Sequence, residues 1–234
     1  GSTLSIVKIF PDRFECFYIG DSTIKIYANT VDNSEQFTRI FMSKNHDIDH
    51  DDIQVLASRS GGCTEWYRKN WMNGRNIYQN GIIIKNVHRL NVLSDKDITM
   101  SPSFYSFFDG DSKNMLNMTR AIGHIPSKEF RERAKKENIE LSLPQKTLTT
   151  ETIMREPGKK YCVIAASDGL WDIACDKDDN LFVSLIKDDP YSAAKNIVDF
   201  AVKRWGQEWY YNGKLEKLGP LQRDDIGVAC VFVE

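Results

Sequence analysis

Five aspartates stand where apolar runs stop. Asp21 follows the run 14–19 and Gly20. Asp168 and Asp172 follow the run 161–167 in the string Ser167-Asp168-Gly169-Leu170-Trp171-Asp172, and Asp224 and Asp225 precede the run 226–233. A carboxylate at the end of a buried strand is costly to desolvate unless it is paired or binds a cation. If several such ends meet on one edge of a sheet, they form an oxygen-rich pocket, and oxygen ligands suit Mg²⁺ or Mn²⁺. Two such ions can clamp the attacking and leaving oxygens in phosphate ester hydrolysis. The same residues have a plainer reading. Asp-Gly is a turn dipeptide, Asp21 before Ser22 can close an Asx-turn, and Asp224-Asp225 can be a solvated loop end.

The elements that must hold these residues can be read from periodicity. Residues 3–10, 14–19 and 23–28 are β-branched and apolar, with breaks at Pro11-Asp12 and Gly20-Asp21, and predict an all-β opening. The runs 161–167 and 226–233 predict buried strands. Residues 192–205 put Ala194, Ile197, Val198, Ala201 and Trp205 on one face of a helix that stops at Gly206. Residues 127–138 predict an exposed charged helix with Ser127 as its N-cap. Residues 29–52 and 94–114 are polar and predict loops, and 81–93 mix strand and turn. The class predicted is α+β, an antiparallel β-sandwich flanked by helices, in one domain over residues 1–234.

Composition narrows the function. The 234 residues carry 31 Lys+Arg and 33 Asp+Glu, a net charge of −2, which is against the basic field of a nucleic-acid binder. No apolar run approaches the ~20 residues of a membrane span. The five cysteines, Cys16, Cys63, Cys162, Cys175 and Cys230, are odd in number, widely spaced and free of CxxC, so neither a disulfide scaffold nor a zinc knuckle is expected. The opening Gly1-Ser2-Thr3-Leu4 has no signal-peptide pattern. These features predict an intracellular protein, cytoplasmic or nuclear, with no membrane or nucleic-acid partner.

Four strings in order carry a resemblance: Gly20-Asp21-Ser22, Thr119-Arg120-Ala121-Ile122-Gly123, Ser167 through Asp172, and Arg223-Asp224-Asp225-Ile226. The set resembles the metal-dependent protein phosphatases of type 2C, which carry GDS, (S/T)RAxGD, SDGLWD and a final DN-strand. The resemblance runs from about Thr3 to Val233. It implies hydrolysis of phosphoserine and phosphothreonine on proteins by a metal-activated water at a binuclear Mn²⁺ or Mg²⁺ centre. Asp168 and Asp224 match ligands of that centre, and Asp21 and Asp172 match carboxylates of a weaker third metal position. Arg120, Ser167, Gly169 and Asp225 become candidates for supporting the ligands. Trp66 and Arg68 become candidates for substrate contact, since their stretch matches the region of the family's flap.

The sequence also departs from the family. His124 stands in place of the Asp after RAxG, and Asp225 in place of Asn. The family's earlier segments, with the bridging Asp and the Asp-Gly-His-Gly-Gly string, have no counterpart before Thr3; Phe108-Asp109-Gly110-Asp111 follows the hairpin and lacks His-Gly-Gly. The expectation is therefore the C-terminal two thirds of a catalytic domain, feeble alone, with a companion N-terminal segment or a dimer covering the gap. The alternative reading is an inactive pseudophosphatase or scaffold that binds a protein partner.

Two other stretches have possible chemistry. His46-Asp47-Ile48-Asp49-His50-Asp51-Asp52 is rich in metal-ligating types, yet no third ligand is evident from spacing and a solvated acidic loop is expected. The aromatic and basic cluster from Trp66 to Tyr78 has the types that stack bases, but the net charge opposes that use.

Overall fold

The computed structural model describes residues 2–30, 36–46, 67–69, 76–79, 82–86, 101–109, 112–116, 120–123, 128, 132, 135–136, 146–211, 214–217, 219–220 and 223–234. The opening strands are β1 (Leu4–Ile9), β2 (Arg13–Ile19), β3 (Thr23–Asn29) and β4 (Phe37–Met42). Five short strands follow: β5 (Tyr67–Lys69), β6 (Asn76–Gln79), β7 (Ile82–Asn86), β8 (Ser101–Asp109) and β9 (Ser112–Leu116). After β10 (Thr149–Met154) and β11 (Tyr161–Ala166) come three helices, α1 (Asp168–Trp171), α2 (Asp179–Asp188) and α3 (Pro190–Trp205). The chain then forms β12 (Glu208–Tyr211), β13 (Lys214–Lys217) and β14 (Val228–Val233).

Two antiparallel sheets make the sandwich. One runs β1-β2-β10, the other β14-β11-β3-β4. In β2 the apolar residues alternate, so Phe14, Cys16 and Tyr18 turn inward while Arg13, Glu15 and Phe17 are half-exposed. This is the period-2 pattern of a strand with one buried face. Strand β3 is buried at all seven positions because it is central and covered on both sides. Its Ile24, Ile26 and Ala28 meet Phe14, Cys16 and Tyr18 between the sheets. Its Tyr27, with Cys162, Ile164 and Ala166 of β11, packs against the helices. Two smaller sheets, β13-β12-β6-β7 and β5-β8-β9, complete the described strands.

Helix α3 starts where Asp189 accepts hydrogen bonds from the Tyr191 and Ser192 backbone amides, with Pro190 in the first turn. Ala193, Ile197, Ala201 and Trp205 form its buried stripe, and Gly206 caps it. The stripe thus begins at Ala193 rather than Ala194, with Ala194 and Val198 half-exposed at its margin.

Several loop expectations are corrected. Residues 37–42, read within a polar loop, form the edge strand β4, and 101–109 and 112–114, read within the surface loop 94–114, belong to the hairpin β8–β9. Helix α2 lacked a sequence reading; its acidic first turn disguises an apolar face of Phe182, Val183 and Ile186. Lys128, Glu132, Lys135 and Lys136 are helical and exposed, in keeping with the charged helix expected there. On β1, Ile6 and Ile9 are 43% and 42% exposed. Among the described residues no helix is long and apolar enough to cross a membrane.

Candidate functional site

Strand register decides which aspartates share an end of the molecule. Ala166 of β11 pairs with Thr23 of β3 on one side and with Val228 of β14 on the other. Asp21 precedes Thr23, Asp168 follows Ala166, and Asp224 and Asp225 precede Val228. All therefore lie beyond the same end of three neighbouring strands.

The contact between the second and third of these segments is intimate. Past Ala166 the ladder continues, with the Ser167 amide donating to the Gly227 carbonyl at 3.0 Å. Ser167 Oγ accepts from the Gly227 amide at 3.0 Å and donates to the Asp225 carbonyl at 2.9 Å. A Cβ on Gly169 would lie 2.3 Å from the Asp225 carbonyl oxygen and 3.2 Å from that of Asp224. Only glycine permits this approach. Asp168 Oδ1 accepts from the Gly169 amide at 2.9 Å, which fixes one carboxylate oxygen of the loop.

The loop is also held from behind. Trp171 Nε1 donates to the Thr23 and Ala166 carbonyls, both at 3.0 Å. Trp205, at the end of α3, donates to the Gly169 carbonyl at 2.7 Å, and Arg204 donates to the Ile173 carbonyl at 3.0 Å. Arg204 also grips both oxygens of Asp178, one of them at 3.0 Å. Burial pushes the Asp178 carboxyl up, but the hydrogen bonds from Arg204 and the Cys175 amide outweigh it and hold the group below the usual carboxylate range.

At the β2–β3 turn Gly20 has φ +94°, in the left-handed region, and a Cβ there would meet the Thr3 side chain at 2.3 Å. His46 fastens this turn. Its amide donates to the Gly20 carbonyl at 2.9 Å, and its Nδ1 accepts from the Gly20 amide at 3.1 Å. Since Nδ1 accepts, the ring proton is on Nε2, which donates to Thr149 Oγ1 at 2.7 Å. His46 is buried and stacked on Tyr18, so it is a structural fastener rather than part of a solvated acidic loop; residues 47–52 lie outside the described residues.

Asp21, Asp168 and Asp172 are half-buried, and Asp224 and Asp225 are exposed. The full desolvation cost of buried carboxylates is therefore not incurred. Among the described residues no three His, Cys, Asp or Glu side chains are grouped closely enough to hold a metal ion. The aspartates that the described residues place at this end nonetheless offer oxygen donors, which suit a hard divalent cation. Arg120 donates to Thr149 Oγ1 at 3.2 Å and to the Thr147 carbonyl at 3.4 Å, and so links the start of β10 to the segment around Ala121. Trp66 and His124 lie outside the described residues, and Arg68 is placed only by its backbone in β5. Burial pushes the Cys16 and Cys162 thiols up to about 12, so neither is a nucleophile at neutral pH.

Sequence reasoning missed Lys25, Arg204 and the anchoring roles of His46 and Trp205. The one available signal was a lysine inside the apolar run Thr23-Ile24-Lys25-Ile26-Tyr27.

Comparison with known proteins agrees with this architecture. The family described as Protein phosphatase 2C matches residues 93–207. No curated protein matches the chain. A serine-threonine phosphatase 2C from Toxoplasma gondii is similar at a TM-score of 0.54 and 16% identity, over 98% of this chain and 57% of its own. A C. elegans sex determining protein is similar at 0.47 and 14% identity, over 94% of this chain and 36% of its own. The catalytic domain of PstP, solved with 2 manganese ions, is similar at 0.37 and 13% identity, over 99% of this chain and 59% of its own. The chain thus spans less than two thirds of the length of each. The Protein phosphatase 2C family model thus matches about half of the chain, and the sandwich is the fold of the Toxoplasma gondii phosphatase 2C; both support kinship with that family.

Proposed function

We propose that the protein containing this chain is a serine/threonine phosphatase that uses Mn²⁺ or Mg²⁺ to hydrolyse phosphoserine and phosphothreonine in proteins. One observation carries the reading: the Asp224-Asp225 peptides lie directly against Gly169, so the Asp168 loop and the approach to β14 are a single unit. In this reading Asp168 and Asp224 hold the cation, and Asp21 and Asp172 contribute to a weaker further position. Bound there, a divalent ion would activate water and neutralise phosphoryl oxygens. Ser167 fixes the Asp225 carbonyl, and the Gly169 amide orients the Asp168 carboxylate. Both act on the direction of the carboxylates, not on phosphate.

The test is calorimetric titration of the chain with Mn²⁺, with a phosphothreonine-peptide assay on the full-length protein. Asp168→Asn keeps the size of the side chain and removes its charge. It should weaken Mn²⁺ binding by at least about tenfold and abolish Mn²⁺-dependent phosphate release. Phosphate release that persists in EDTA, or in Asp168→Asn, overturns the reading. A folded protein that neither binds Mn²⁺ nor turns over is the scaffold instead.

A further inference from the structure

Lys25 is out of place in its strand. It sits mid-β3, in a stretch buried at every position, and its side chain is only 7% exposed. Burying an ammonium group is costly unless specific partners compensate for lost water. Lys25 has two. Its Nζ lies 3.0 Å from Asp179 Oδ1, at the start of α2, and 4.4 Å from the centroid of the Trp171 ring. A local breach of the burial rule marks a place where position matters more than packing.

We propose that Lys25 is a positioning residue for the aspartate loop, holding the Trp171 ring and through it Asp168 and Asp172. The inference rests on the reading that these aspartates face a cation, and it adds the device that sets their direction. Trp171 is the last residue of α1, which Asp168 begins and Asp172 caps. The indole is fixed at its edge by Nε1 bonded to Thr23 and Ala166. The ring also meets Phe182 edge-on, with centroids 6.3 Å apart, and the ammonium over its face adds a charge-based hold to these contacts. Asp179 holds the ammonium in place and is itself held by Arg39, which reaches Oδ2 at 3.2 Å. The chain of contacts therefore runs from the edge strand through α2 and Lys25 to the site.

Because Arg39 still pairs with Asp179, Lys25→Met leaves no orphaned carboxylate and should fold. The experiment compares wild type, Lys25→Met and a sandwich-core variant, Phe14→Leu, well below their melting temperatures. In metal-free protein, amide exchange over residues 168–174 should accelerate about tenfold in Lys25→Met and stay unchanged in Phe14→Leu. Calorimetric Mn²⁺ affinity should fall about five- to tenfold in Lys25→Met alone. Unchanged exchange in Lys25→Met, or equal acceleration in both variants, overturns the proposal, since a purely structural lysine predicts one or the other. Faster exchange together with wild-type Mn²⁺ affinity overturns it too. If wild type binds no Mn²⁺ while exchange rises only in Lys25→Met, the phosphatase reading fails and the hold of Lys25 on the loop stands.

Discussion

The two faces of the β14-β11-β3-β4 sheet are built on different chemistry. The face toward β1-β2-β10 is an apolar interface of Phe14, Cys16, Tyr18, Ile24, Ile26, Ala28, Tyr161 and Val163. The face toward the helices has a larger apolar core, but Lys25, Asp178 and Asp179, the buried lysine and aspartates among the described residues, lie at its border with the site loop. Apolar packing is non-directional and supplies stability. Hydrogen bonds and ion pairs are directional, and they occur where a loop must be aimed. The sandwich face holds the molecule together, and the helix face holds the aspartates in direction.

The largest effect that could break this comparison is expected on the sandwich face. Phe14 is fully buried, with its ring edge-on to Tyr161 at 5.2 Å. Phe14→Ala should cost about 3–5 kcal/mol in denaturant unfolding, through lost transfer energy and a cavity. Its Mn²⁺ affinity below the unfolding transition should equal that of wild type. A matching loss of affinity would mean that the two faces are not separable.

Next comes Arg204→Met on the helix face. It leaves the Asp178 carboxylate buried without its main partner and should cost about 3 kcal/mol. The pH dependence gives a second check. The folded Asp178 carboxyl is held below its ordinary value, so its contribution to stability is complete above the unfolded carboxylate range. That contribution is lost as pH falls from about 4 through the depressed folded value. Melting curves from pH 7 to 3 should therefore fall less steeply on the acid side in Asp178→Asn than in wild type. Parallel curves would show that Arg204 does not lower this carboxyl.

The smallest stability effect is expected from Gly169→Ala, about 1–3 kcal/mol from overpacking against the Asp225 carbonyl. Here the informative readout is the site. One methyl should push the Asp224-Asp225 segment away and reduce Mn²⁺ affinity more than Phe14→Ala does, despite the smaller stability cost. Equal affinity in Gly169→Ala and wild type would separate the Asp168 loop from Asp224.

Much of the fold was legible in the sequence. The strands at 4–9, 13–19, 23–29, 161–166 and 228–233 announce themselves by alternation or by short apolar runs. Helix α3 shows its stripe and its glycine stop. Strand β4 was not legible, because an edge strand with Thr38, Arg39 and Ile40 exposed carries no periodic burial signal. Helix α2 was hidden by the acidic stretch Asp176 to Asp179, where the buried Asp178 is met by Arg204 and the buried Asp179 by Lys25 and Arg39, all from distant elements.

For the site, the sequence by itself determined the residue types. Aspartates at strand ends and a glycine after Asp168 are local facts, and the ordered strings carry the resemblance to the type 2C phosphatases. Tertiary structure decided which of them meet. Antiparallel register set Thr23, Ala166 and Val228 side by side, and the missing Cβ of Gly169 let one backbone rest on another. It also decided the roles of His46 and Lys25. A histidine in an acidic string and a lysine in a strand have no fixed meaning until the fold supplies Gly20 and Thr149 to the one, and Trp171 and Asp179 to the other. Hydrogen bonds and cation–π contacts act over a few ångströms, and here they join residues more than a hundred positions apart.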